Sequence, residues 1–176
     1  TNRMRLEALP HLQSLAALTG ERTNLGILHR NKVLYLAGVE KPSLPTIYTR
    51  FGKTAPGHCS SLGKAILAFL PRNEADRVLA AEPLIAQTSN SITSMPRFRK
   101  ELELTHQRGY ATDSEEHVLN SCCVAAPIFS RGRVVGAIGI SGSSNKIDPL
   151  LAHVNVLRHT AEVISHQLEA HMRGHD

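Results

Sequence analysis

The chain has 176 residues, 41% of them hydrophobic, and its 20 Lys and Arg against 15 Asp and Glu give a formal charge of +5. A chain of this size buries roughly two thirds of the surface that its unfolded form exposes, which excludes disorder and any need for disulfides or metal in folding. The three cysteines, of which Cys122 and Cys123 are adjacent, do not suit a secreted disulfide framework. We therefore expect a cytoplasmic protein.

Membrane and nucleic-acid classes are not favoured by the composition. No apolar run reaches the roughly 18 residues of a membrane helix, and no apolar signal core follows the charged start of the chain. The basic residues are scattered, and the aromatic content is only 4%, with no Trp. Neither a basic patch for a nucleic acid nor a stacking platform for single strands is therefore expected.

The first half of the sequence predicts a helix, strands and further helices. Leucines recur every third residue from Leu6 to Leu18, and Gly20 follows, which predicts a helix over residues 5–19. Strands are predicted over residues 23–29, 32–40 and 46–50, and a loop over 52–57. Ser60 and Ser61 are suited to cap a helix over residues 62–70, and a further helix is predicted over 73–81.

The second half predicts a helix that begins near Pro96 and ends at Gly109, and then strands over residues 110–115, 122–129 and 133–141. Pro149 opens a long last helix with one apolar stripe, formed by Leu150, Val154, Leu157, Ala161, Ile164 and Leu168. The order of elements predicts an α+β fold, in which a largely antiparallel six-stranded sheet is covered by helices.

Residues 122–141 predict a hairpin whose two faces differ. A three-residue loop over 130–132 places Phe129 opposite Arg133 and Cys123 opposite Gly139. The period of two then collects small residues on one face, namely Cys123, Ala125, Ala137, Gly139 and Ser141, and bulky residues on the other, namely Val124, Ile128, Val134, Ile138 and Ile140. The small face either receives a closely packed helix or leaves space for a ligand.

Two further features lie near this hairpin in the predicted fold. Asp113 is on the preceding strand, where a carboxylate is either a solvated strand end or an acceptor for ligand hydroxyl groups. The segment from Cys59 runs into a helix whose first amides lack internal partners and bind anions well, and Gly63 would let a ligand approach the backbone. An ordinary capped helix is the alternative interpretation.

Chemistry at the cysteines is the alternative to ligand binding. Cys122 or Cys123, with His117 as a base, would make a thiol hydrolase. A zinc site would need ligands from across the fold, namely His58, Cys59, Asp113 and Cys123. No nucleophile turn surrounds the cysteines, and neither CxxC nor HExxH spacing occurs. We therefore predict no catalytic residue, no metal and no cofactor.

Several motifs resemble the effector-binding domain of IclR-type bacterial transcription regulators. They are the runs HCSSLGKAIL at 58–67, GYATDSEE at 109–116, CVAAPI at 123–128 and GRVVGAIGISG at 132–142. The likeness covers essentially the whole chain. It implies a GAF-like fold that binds a small hydroxy or keto carboxylic acid and assembles as a homodimer or homotetramer. It also implies that the protein is a repressor or an activator, with repressor preferred, which binds operator DNA through a winged helix-turn-helix domain upstream.

The resemblance assigns roles to individual residues. Ligand contacts fall on the backbone amides of Ser61 and Leu62, on Asp113, on Cys123, and on a pair of last-strand positions occupied here by Gly139 and Ser141. Gly139 has no hydroxyl group, so either a larger ligand fills the vacated space or the acid receives one hydrogen bond fewer. Residues 1–20 would form a helix next to the linker, and residues 21–176 the sensor. An oligomerisation module with a vestigial pocket is a further alternative.

Overall fold

The computed structural model describes residues 2–42 and 52–173, with side chains described as far as residue 170. Its helices are α1 (Asn2–Thr19), α2 (Ser61–Leu67), α3 (Arg72–Ala81), α4 (Met95–Arg108), α5 (Asp148–Leu151) and α6 (Val154–Arg173). Its strands are β1 (Arg22–His29), β2 (Lys32–Val39), β3 (Thr54–Pro56), β4 (Ala111–Ser114), β5 (Cys122–Ser130) and β6 (Arg133–Gly142).

The six strands form one antiparallel sheet in the order β3-β2-β1-β6-β5-β4, so the predicted α+β class is confirmed. The strand predicted over 46–50 lies outside the described residues. The loop predicted over 52–57 is partly wrong, because Thr54–Pro56 pairs with the edge of β2. A three-residue strand is too short for an alternating pattern to reveal it. None of the described helices is long and apolar enough to cross a bilayer.

Helices cover both faces of the sheet and create separate cores. On one face, α1, α5 and α6 bury the branched side chains of the strands, including Leu25, Val124, Ile138 and Ile140. On the other face, α2 packs on small residues such as Ala125 and Ala137. Residues of α3 and α4 form a third hydrophobic cluster around Phe98. The small face of the hairpin therefore does receive a helix over part of its length.

The buried stripe of α1 differs from the prediction. Leu12 and Leu15 are buried, but Leu6 and Leu18 are 64% and 69% exposed. The other buried residues of this helix are Met4, Ala8 and Ala16. Since each residue turns the helix by about 100°, a three-residue repeat drifts around the axis and five such positions cannot share one face. The predicted stripe of the last helix is buried throughout, although the helix is interrupted between α5 and α6.

The hairpin register also differs from the prediction. The turn has two residues, Arg131 and Gly132, both with positive φ, and Cys123 pairs with Ser141. The predicted partner of Cys123 is wrong by two residues. Because side chains alternate between the faces with a period of two, most residues are still assigned to the correct face. Val134 is the exception, because the register shift beside Phe129 turns its side chain towards the α2 side of the sheet.

Gly63 has a packing role that differs from the predicted access for a ligand. A Cβ built on it would lie 2.7 Å from Gly57 Cα and would also collide with the carbonyl group of Gly57. The absent side chain therefore lets the loop before α2 lie directly on the helix. Because the neighbouring atoms belong to the backbone, they cannot move aside as a flexible side chain would.

This contact predicts whether a substitution at Gly63 raises or lowers the stability of the chain. Alanine in a helix is normally favoured over glycine by about 1 kcal/mol. We expect Gly63→Ala instead to destabilise the chain by about 1–3 kcal/mol, because the added methyl group overpacks a rigid contact. Urea unfolding measures this as a lower midpoint at an unchanged m value. A midpoint that is equal or higher would contradict the described packing.

Candidate ligand-binding site

The antiparallel pairing of β1, β6, β5 and β4 places a row of polar side chains across the sheet. Arg22 pairs with Ser141, Ser141 with Cys123, and Cys123 with Asp113. Directly paired residues project from the same face of a sheet, so these side chains are neighbours. Cys123 and Ser141 are half-buried, and Asp113 is only 3% exposed. Three of the predicted site residues therefore lie together, and Arg22, which forms an ion pair with Glu40, extends the row.

The next row of the same face contains Gly139, with Asn24 and Ala125 as its paired neighbours. Leu62 of α2 packs over this row, and its Cδ2 atom would lie 3.3 Å from a Cβ built on Gly139. The space predicted to be vacated at Gly139 is thus occupied by Leu62. The side-chain oxygen of Asn24 is buried and has no hydrogen-bond partner within the described chain.

The start of α2 lies above this face. Ser61 and Leu62 are both buried, and Ser60 occupies the N-cap position in an extended conformation, as predicted. Its hydroxyl group does not cap the helix, whereas its carbonyl group accepts a hydrogen bond from the amide of Lys64. The predicted start of the helix is correct to within one residue, but the predicted side-chain cap is absent.

Burial controls the protonation of Asp113. Its Oδ1 atom accepts a hydrogen bond of 2.7 Å from the amide of Glu116. Desolvation is the main cause that raises its pKa, to about 7, while the amide of Glu116 opposes the rise and the charge of Glu116 adds to it. The carboxyl group can therefore act as a donor or an acceptor of hydrogen bonds near neutral pH. Burial and the nearby Asp113 also raise the pKa of the Cys59 thiol to about 12.

A fully buried lysine links the elements around Asp113. The ammonium group of Lys64 lies 2.6 Å from Glu116 and 3.5 Å from Glu101, and it donates a hydrogen bond of 2.8 Å to the carbonyl group of Thr112. Arg108 lies 3.7 Å from the same carboxylate of Glu101. The network connects α2, β4, α4 and the loop after β4. It lies next to the polar row and fixes the backbone on both sides of Asp113.

Sequence reasoning missed Lys64, Glu116 and Asn24 as parts of the site. One signal was available for Lys64, because it is the single charge inside the otherwise apolar predicted helix over 62–70. A lysine is almost never fully buried without a partner, so such a position predicts a buried acid elsewhere. Nothing in a single sequence identifies which acid it is.

The two buried cysteines, Cys59 and Cys122, are not activated for catalysis. His58 contacts the carbonyl group of Ile85 at 2.7 Å through Nε2. The Cys59 thiol has the raised pKa given above, and burial also raises that of Cys122, so neither thiol is activated. Over residues 2–42 and 52–170, no group of three or more His, Cys, Asp or Glu side chains could hold a metal ion.

A separate groove of about 590 Å³ lies between α4, α6 and the part of β5 that does not pair with β4. It is lined in part by Phe69, His106, Phe129 and Arg158, and the rings of Phe69 and His106 stack at 4.8 Å. None of the predicted site residues lines this groove. The polar row and the groove are therefore distinct features of the molecule.

Comparison with known proteins identifies the family. The model of the bacterial transcriptional regulator IclR C-terminal domain matches residues 2–166. The chain belongs to the IclR family of bacterial transcriptional regulators. The HTH-type transcriptional repressor AllR of Escherichia coli strain UTI89 is 33% identical over 168 residues, which cover 93% of this chain and 62% of the repressor. The chain thus spans about three fifths of the length of that relative.

Solved structures of the IclR family have the same fold. The Thermotoga maritima IclR structure matches with a TM-score of 0.86 and 32% identity, over 94% of this chain and 68% of that one. An IclR homologue of Microbacterium hydrocarbonoxydans, in complex with 4-hydroxybenzoate, matches with a TM-score of 0.83 and 26% identity, over 94% and 68% of the two chains. These relatives are regulators, so the hydrolase alternative at Cys123 receives no support.

The buried network of this IclR-family domain predicts a large effect of one substitution. We expect Lys64→Met to destabilise the chain by about 3–5 kcal/mol, because it leaves the buried carboxylate of Glu116 without its cation. Arg133→Met is the matched control, since Arg133 is 62% exposed in its ion pair with Glu74, and surface pairs contribute less than about 1 kcal/mol. Equal losses for the two variants in urea unfolding would contradict the importance of the buried pair.

The raised pKa of Asp113 predicts how stability depends on pH. Between the usual pKa near 3.8 and the folded value of about 7, the folded state binds more protons than the unfolded state, so this group makes stability fall as pH rises through that window. Asp113→Asn removes the titration but keeps an acceptor for the amide of Glu116. We expect its melting temperature to exceed that of the wild type above pH 7, and the difference to shrink towards pH 4. A constant difference would show that Asp113 does not titrate in this range.

Proposed function

We propose that this chain is the effector-binding part of a transcriptional repressor that senses a small hydroxy or keto carboxylic acid. The observation that carries the proposal is the row formed by Asp113, Cys123 and Ser141. This row combines a deeply buried carboxyl group with a half-buried thiol and hydroxyl on one face. A buried carboxyl group whose pKa is raised this far is typical of functional sites.

The polar groups suggest how such an acid would bind. The hydroxyl group of Ser141 and the amides of Ser61 and Leu62 would donate hydrogen bonds to the ligand carboxylate. Asp113, with its pKa of about 7, would accept a hydrogen bond from a ligand hydroxyl or donate one to a keto oxygen. Cys123 would line the site between these groups, and Gly139 would bound it in the next row, beneath Leu62.

The proposal also predicts the range of affinity. Each charge-assisted hydrogen bond contributes on the order of 1.5–3 kcal/mol. Two or three such bonds with little apolar burial give micromolar to millimolar dissociation constants. The 4-hydroxybenzoate in the Microbacterium hydrocarbonoxydans homologue supports a carboxylic acid as the ligand class. Asn24 also supports a polar ligand, because its buried side-chain oxygen could accept a hydrogen bond from a ligand hydroxyl.

The remaining parts of the proposal concern the longer protein. Relatives named HTH-type repressors extend beyond the matched region, which supports an upstream winged helix-turn-helix domain that binds operator DNA. In this arrangement residues 1–20 connect that domain to the sensor formed by residues 21–176, and the protein acts in the cytoplasm. The exposed Leu6 and Leu18 on α1 support assembly into a homodimer or homotetramer.

Titration with a panel of small hydroxy and keto acids tests the proposal. We expect at least one acid to raise the melting temperature of the chain, because a ligand that binds only the folded state stabilises it. Asp113→Ala and Ser141→Ala should each weaken the binding of that acid by about tenfold or more, since each substitution removes a charge-assisted hydrogen bond.

Ser114→Ala is the matched control for this titration, since Ser114 neighbours Asp113 on β4 but is exposed and points to the other face. Its dissociation constant should equal that of the wild type. Stable oligomers without any response to ligand would indicate an oligomerisation module instead. Undiminished binding by both Ala variants would move the site away from the polar row.

A further inference from the structure

We infer that Leu62 sets the size of the acid that this site accepts, an inference that rests on the proposed function. The side chain of Leu62 is buried against two glycines of the adjacent strands β1 and β6. A Cβ built on Gly26 would lie 3.2 Å from Leu62 Cδ1, and one built on Gly139 would lie 3.3 Å from Leu62 Cδ2. Leu62 therefore occupies the space into which side chains at both positions would project.

The position of Leu62 divides the small face of the sheet into two parts. Beneath α2, the face is closed, since Ala125, Ala137 and Gly139 are buried. Two residues further along β5 and β6, Cys123 and Ser141 are half-buried. Residues two apart on one strand lie roughly 6.6 Å apart, so the leucine stands at the border between the covered and the accessible part.

The accessible part is short along the strands, because Leu62 fills the next row. Asp113 and Ser141 are separated by two strand spacings, roughly 9.6 Å between their Cα atoms, and Cys123 lies on the strand between them. A 2-oxo or 2-hydroxy acid such as pyruvate or lactate can extend its carboxylate towards Ser141 and its second oxygen towards Asp113. A benzene ring between the same groups needs additional breadth in the next row, which Leu62 fills.

The packing at Gly139 also indicates that Leu62 limits the size of the ligand. Because Gly139 has no side chain, Leu62 takes the space that a larger residue would fill there. The backbone carbonyl of Val124 also lies 3.1 Å from the position of a Cβ on Gly139. The vacated volume is therefore not available to a larger ligand while Leu62 keeps its position.

Isothermal titration calorimetry with pyruvate, lactate and 4-hydroxybenzoate tests this inference. The wild type is expected to bind pyruvate or lactate about tenfold or more tightly than 4-hydroxybenzoate, since a pocket that lacks room for added carbon atoms discriminates by at least that factor. Leu62→Ala should tighten the binding of 4-hydroxybenzoate by about tenfold. Leu62→Val removes less volume and should move the ratio of the two affinities in the same direction by a smaller factor.

Ile66→Ala is the control, because Ile66 is buried in the same cluster but lies about one turn further along α2 than Leu62. It should lower the melting temperature and leave the affinity ratio unchanged. Equal affinity of the wild type for both classes of acid, or a ratio that neither Leu62 variant changes, overturns the role of Leu62 while ligand sensing stands. If the wild type binds none of the hydroxy or keto acids of the wider panel, the proposed function itself is overturned.

Discussion

The buried ammonium group of Lys64 is the interaction on which the arrangement of this site depends. A lysine side chain removed from water must be compensated by acids and hydrogen-bond acceptors, or its burial would cost several kcal/mol. The compensating groups are Glu116, Glu101 and the carbonyl group of Thr112, which belong to three different parts of the chain. The requirement to surround one charge therefore fixes α2, β4 and α4 relative to one another. Asp113, which lies between Thr112 and Glu116 in sequence, is fixed with them.

Glycines provide the second constraint, because they set how closely α2 approaches its neighbours. Gly63 lets the helix touch the backbone of Gly57, and the sheet glycines Gly26 and Gly139 leave room for Leu62. Close packing on both sides explains why α2 is buried throughout although it has only seven residues. A helix this short has little stability of its own and is held by its contacts. The same contacts leave the adjacent row at Cys123 and Ser141 as the accessible part of the face.

Much of the fold could be predicted from the sequence, because strong periodic patterns and turn residues mark most elements. The hairpin face was predicted correctly through Cys123 and Ser141 although the register was wrong by two residues, since a shift of two preserves the face. The bulge that reverses Val134 has no local signature in the sequence. The partners of Lys64 could not be predicted either, because Glu101 and Glu116 are brought to it by tertiary structure. The packing of Leu62 beside Gly139 likewise depends on tertiary structure and has no signal in the sequence.

We propose that the polar row serves a ligand, because its buried carboxyl group weakens the fold above neutral pH. A buried carboxyl group with a raised pKa reduces stability above neutral pH, and an amide side chain at Asp113 could still accept the hydrogen bond from Glu116. The buried oxygen of Asn24 likewise costs free energy while it lacks a donor. Both residues project from the face that carries Cys123 and Ser141. Features that lower stability and gather on one surface are typical of functional sites, where binding offsets their cost.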